Sequence, residues 1–181
     1  MTIRPREIID FWLAAGREKW WTKNDVFDAE VRRRFGALHA EACAGRHDGW
    51  CEAPEGSLAL VIVLDQFSRN LYRADHRAWA NDPKALAIAR QAIERGHDLA
   101  FEPEARQWFY LPFMHAEALD AQRLCVEYIA HRVGDPESVQ FAELHLDIIR
   151  RFGRFPHRNA LLGRVTTPEE QTFLDAGGFA G

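Results

Sequence analysis

At 181 residues, with 47% hydrophobic and 28% charged residues, the chain has the length of one domain (1–181) and can bury a core without metals or disulfides. A net charge of -4 and a pI of about 6.1 argue against general affinity for nucleic acid, so any basic site is local. Cys43, Cys51 and Cys125 form no C-x-x-C pair, the amino terminus is charged from its fourth residue, and the longest apolar run, Leu58 to Leu64, is too short to span a bilayer. A reducing, cytoplasmic location without signal peptide or membrane segment is therefore expected.

Prolines open segments of helical composition and glycines close them, as proline at a first helical position and glycine past a last one do. The resulting helices cover 5–15, 25–44, 54–71, 83–95, 103–110, 112–133, 136–152 and 168–176. Thr167-Pro168-Glu169-Glu170 reads as a capping box, and Asp82-Pro83 as a simpler start. Val61, Ile62 and Val63 could belong to a buried strand. Pro54 ahead of them, Phe67 and Leu71 beyond, and the lack of any partner strand favour a central helix that is apolar all round. Evenly spaced starts at Pro54, Pro83 and Pro112 suggest stacked helical hairpins. Trp12, Trp20 and Trp21 read as packing anchors.

Three segments could carry chemistry. In LDQFSRNLYR, four-residue steps align Asp65, Arg69 and Arg73 on one side of a helix. Either an internal Asp65 to Arg69 pair fixes helix packing, or Asn70 and Arg73 also face a ligand. In FYLPFMHAEALDAQ, His115 and Glu117 point apart on a regular helix, whereas His115 and Gln122 share a face. His115 is either a general acid or base or a hydrogen-bonded structural histidine.

The third segment, RRFGRFPHRNALLGR, contains five arginines and no acid. Asn159 could cap a short helix there, which would gather Arg154, His157 and Arg158 at an amino terminus suited to an anion. Alternatively, these arginines pair with Asp65, Glu117 and Asp147. A metal site from His115, His145, Asp147 and His157 lacks local ligand spacing, so neither metal nor cofactor is expected. No Gly-rich phosphate loop, nucleophile elbow or thiol with a neighbouring base is apparent.

WWTKNDVFDAEVRRRFG, LALVIVLDQFSRNLYR, FYLPFMHAEALDAQ and RFGRFPHRNALLGRVTTPEE together resemble the bacterial domain-of-unknown-function family numbered 924, over almost the whole chain. The resemblance implies an all-α, tetratricopeptide-like right-handed array of antiparallel helical hairpins, about eight helices in all. It implies no activity and no catalytic assignments. The family pattern commonly carries serine after the histidine of the third motif and further acids nearby. Here those places are Ala116, Ala118 and Ala121, with Asp120 one step early, so a mechanism built on that serine fails in this chain. Asp65, Gln66, Arg69, Asn70, Arg73, His115, Glu117, Gln122, Arg151, Arg154, His157, Arg158, Asn159 and Arg164 stay in register.

The first functional reading is a binding module for an anionic small molecule or peptide. Arg69, Arg73, Arg154 and Arg158 supply the forks, and Asp65, Gln66, Asn70, Gln122, His157 and Asn159 complete the site. The second is a metal-independent hydrolase with His115 or His157 as acid or base and Glu117 orienting it. The third is a purely structural network with function on a partner surface, a homodimer being one possible assembly.

Overall fold

A computed structural model describes residues 3–179, and all regular structure within them is helical. Pro5 opens α1 (Pro5–Trp21), and Asn24 caps α2 (Asp25–Cys43) by accepting the Phe27 N–H at 2.9 Å. The central run comprises α3 (Pro54–Val61), a π-helical segment (Ile62–Phe67) and α4 (Ser68–Leu71). It is followed by α5 (Asp82–Glu94), α6 (Pro103–Arg106), α7 (Leu111–His115) and α8 (Leu119–Tyr128). A second π-helical segment (Ile129–Val133) leads to α9 (Pro136–Phe152) and α10 (Pro168–Asp175). At the start of α10, Thr167 Oγ1 accepts the Glu170 N–H at 3.2 Å and Glu170 Oε2 accepts the Thr167 N–H at 2.8 Å, which is the expected capping box. Most packing joins helices one or two places apart along the chain: α1 on α3, α2 on α4, α3 on α5, α5 on α7 and α8 on α9. Stacked hairpins give this neighbour pattern.

The Val61-Ile62-Val63 stretch is helical because burial on every side outweighs β-branched propensity; each residue from Leu58 to Leu64 is at most 1% exposed. Trp12, Phe35, Phe67 and Trp108 meet in this core, with Trp12 and Trp108 ring centres 5.1 Å apart. Trp20 packs edge-on to Trp108, and Trp21 stacks on Trp108 while half exposed. The three cysteines are free. Among the described residues, no helix is long and apolar enough to cross a membrane.

Several boundaries differ from the sequence reading. Gly16 does leave helical geometry, at φ 75° and ψ 169°, but a further helical turn follows and carries Trp20 into the core. The segment 103–110 tightens into 3-10 geometry at Gln107–Phe109. The expected helix 112–133 breaks after His115, where Ala116 and Ala118 are extended. Alanine and glutamate favour helix, so the break comes from tertiary bonds: Glu117 binds Arg164 and the Phe155 N–H, and Gln122 Nε2 donates to Met114 O and Ala116 O. Asn159 does not cap a helix; it follows a 3-10 turn at Pro156–Arg158, and its side chain donates to Glu170.

Gly56 of α3 lies against the turn Asp48–Glu52, where a Cβ would stand 2.0 Å from the Trp50 carbonyl oxygen. Gly56→Ala ordinarily favours a helix by about 1 kcal/mol. Here it should destabilise by roughly 1–3 kcal/mol, because backbone must move. Urea unfolding of the two proteins checks the sign.

Candidate functional site

The π-helical segment carries Asp65 into a fully buried position. Such wide turns recur at functional sites. Asp65 Oδ1 receives His115 Nδ1 at 2.8 Å and lies 3.1 Å from Arg69 Nη1, while Oδ2 accepts Gln66 Nε2 at 2.6 Å. One turn on, Arg69 also grips Asp82 of α5 with both Nη atoms at 3.0 Å. Arg158, 6% exposed, comes from the turn after α9. It donates through Nη1 to the His115 carbonyl at 3.1 Å and stands 3.6 Å from Asp82. Its guanidinium lies over the Trp79 and Phe155 rings at 5.3 and 4.5 Å.

Burial pushes the Asp65 carboxyl upward, but Arg69 and then His115 outweigh it and hold it well below the ordinary range. Burial, reinforced by Arg69, lowers His115, so its imidazole is neutral at pH 7. With Asp65 ionised, Nδ1 carries the proton and Nε2 the lone pair. Nε2 has no partner among the described residues, and the side chain is 14% exposed. Burial and then Arg69 bring Arg158 down to about 10, leaving a charged but poorly compensated cation.

His157 joins this neighbourhood, its ring 6.5 Å from Trp79 and 5.7 Å from Phe155. Its Nδ1 is sealed without a partner, and burial, then Arg158, bring it down to about 4. Other expected site residues lie elsewhere. Asn70 and Arg73 turn to Asp28 of α2, with Asn70 Nδ2 and Arg73 Nη2 each 2.8 Å from Oδ1. They line an open cavity of about 320 Å³ with Lys23 and Arg32. The Arg154 fork closes on Glu170, and Asn159 donates to the same carboxylate at 3.1 Å. Glu117 does not orient His115; it accepts Arg164 at 2.6 and 3.0 Å and the Phe155 N–H at 2.8 Å, and Asp65 orients the histidine instead. Nor do His115 and Gln122 share a helical face, because the break lies between them and Gln122 ties its ends together.

Asp28, Trp79, Asp82 and Glu170 were not expected to meet these arginines. Each partners an arginine from another segment, so no local spacing marks it. One local signal was available: His39 and Cys43 are four apart on α2, with Sγ 3.6 Å from Nδ1. Burial lowers the imidazole and raises the thiol, so both stay neutral and the sulfur is not activated. Among the described residues, no three His, Cys, Asp or Glu side chains converge as a metal cage.

The shifted groups predict acid sensitivity. Burial brings His145 and His157 down to about 4. Glu170 is drawn to about 2 by its hydrogen bonds to Arg154, while for Glu117 the bonded Arg164 outweighs a burial effect of opposite sign. Every folded value is below its unfolded one, so the stability is full above the unfolded value and is lost as pH falls through the folded one. The melting temperature should therefore drop in two stages, from about pH 6.5 to 4 as the histidines charge and then towards pH 2 as the carboxylates protonate. The double variant His145→Gln, His157→Gln should shrink the upper stage in a pH series of thermal melts, leaving the part that His39 and His115, also lowered by burial, contribute.

Comparison with known proteins bears on the whole chain. Residues 8–178 match the family described as bacterial protein of unknown function, DUF924. A solved structure, a protein of unknown function from Agrobacterium tumefaciens, is 44% identical with a TM-score of 0.91, over 96% of this chain and 97% of that one. No curated protein matches. Fold, extent and identity agree, and the chain belongs to the bacterial family of unknown function DUF924.

Proposed function

We propose that this protein is a binding module for a small anionic group, the carboxylate or phosphate of a small molecule or peptide, taken up at Arg158 beside His115. The observation that carries the reading is the incomplete pairing of a buried guanidinium. Arg73, Arg154 and Arg164 close on carboxylates, and Arg69 grips Asp82 and Asp65. Among the described residues, Arg158 has only a backbone carbonyl and a 3.6 Å approach to an aspartate that Arg69 already holds. Its Nε–Nη2 edge, the one that meets a carboxylate side-on, has no acceptor among the described residues. Among the described residues, four of the eight sealed, unpartnered polar atoms belong to residues 157–164, which marks this segment as the least satisfied part of the interior. Helical-hairpin arrays commonly act as binding modules, an analogy of fold. Free cysteines throughout favour a reducing, cytoplasmic setting.

Thermal unfolding with phosphate, acetate and succinate tests this. An anion at about a hundred times its Kd adds roughly 2.7 kcal/mol, which raises the midpoint by about 5–10 °C. Arg158→Met keeps an apolar stem between Trp79 and Phe155 and strands no carboxylate, because Asp82 retains Arg69. The variant should lose the anion shift while its ligand-free midpoint holds or rises. Equal shifts in both proteins, or none in the parent, would overturn the reading.

A further inference from the structure

We infer that the Asp65–His115 pair is a general base beside Arg158, which makes the chain a hydrolase for acyl esters that bear a carboxylate. The choice of a carboxylate-bearing substrate rests on the anion site proposed above; the base stands on the geometry of His115. Asp65 is held in place by Gln66 Nε2 at 2.6 Å and Arg69 Nη1 at 3.1 Å, and its Oδ1 in turn fixes the His115 ring through Nδ1 at 2.8 Å. A histidine whose inner nitrogen donates to a buried carboxylate presents a basic outer nitrogen, and Nε2 here, on a side chain 14% exposed, has no partner among the described residues. The His115 carbonyl accepts Arg158 Nη1 at 3.1 Å, so base and guanidinium belong to one rigid corner.

Asp65 and Arg69 of the central helix, Asp82 of α5, His145 of α9 and Arg158 are the titratable groups around His115. Arg69 is taken up by Asp65 and Asp82, which leaves Arg158 as the single incompletely paired guanidinium, too few cations to spread a phosphoryl dianion but a match for an acyl substrate with a single carboxylate. In the step, His115 Nε2 takes a proton from water as the water oxygen bonds to the ester carbonyl carbon. The tetrahedral intermediate then breaks its C–O bond to the alcohol, and His115 returns the proton to the departing oxygen. Acid and alcohol result, with no change in oxidation state. His115 is the catalytic base and Asp65 a positioning residue.

The test uses the full chain with 4-nitrophenyl hydrogen succinate and the neutral 4-nitrophenyl acetate. The succinate ester should be cleaved faster than the acetate ester, and His115→Gln should lower the rate about a hundredfold or more. Arg158→Met should raise KM for the succinate ester about tenfold. The rate should climb to a plateau through a midpoint below pH 6.5, because the base works as neutral imidazole, and Asp65→Asn should lower kcat and move that midpoint. Should Asp65→Asn fail to fold, diethyl pyrocarbonate on the unaltered protein reads the same property: His115 should be acylated at Nε2 with the same pH midpoint. Esterolysis no faster than equimolar imidazole, insensitivity to His115→Gln, or an unreactive His115 beside a reactive His76 would overturn the base. The anion-induced melting shift would survive those results. Equal rates on the two esters would instead overturn the assignment of a carboxylate-bearing substrate.

Discussion

A single buried carboxylate organises the middle of this protein. Asp65 is wholly enclosed, and an enclosed charge persists only when donors surround it. Its donors come from two elements: Gln66 and Arg69 from the central helical run, and His115 from the end of α7. Arg69 then ties in Asp82 at the start of α5, and the His115 carbonyl ties in Arg158 from the turn after α9. Four segments distant in sequence thereby share one polar node inside an aromatic and aliphatic core. Such a node adds little net stability over apolar packing of equal volume, but it penalises any arrangement in which one partner is misplaced.

The arginines divide by how completely they are satisfied. Arg73, Arg154 and Arg164 meet carboxylates through two nitrogens each, geometry that fixes loop to helix or loop to loop. Arg158 sits between two aromatic rings, with its charge answered only in part. Fully and incompletely paired arginines look alike in sequence, since both occur among apolar residues. The difference lies in whether a second chain segment delivers an acid.

The interruption after His115 has a comparable cause. Regular helix would carry His115 and Glu117 to nearly opposite sides and put Gln122 on the same face as His115. Extended backbone at Ala116 and Ala118 instead frees Glu117 to meet Arg164 and the Phe155 N–H, while Gln122 satisfies the carbonyls that the break exposes. His115 is left at a helix end with one nitrogen bound and the other open. The break and the disposition of His115 are therefore one structural event.

Local chemistry determined the elements. Proline and glycine punctuation, the Thr167 to Glu170 capping box and the depth of the apolar run around Ile62 are short-range signals, so the helical class, the central helix and the 136–152 helix were legible in the chain. The Asp65 to Arg69 pair was legible too, being one helical turn apart. The remaining partners were decided by tertiary structure: Asp28 for Arg73, Asp82 for Arg69, Glu170 for Arg154 and Glu117 for Arg164. Sequence specifies that a buried guanidinium needs an acceptor, but 27 acidic residues are available and only packing determines which one arrives. The same holds for His115: its residue type permitted a base, and the burial of Asp65 against it decided which nitrogen faces out.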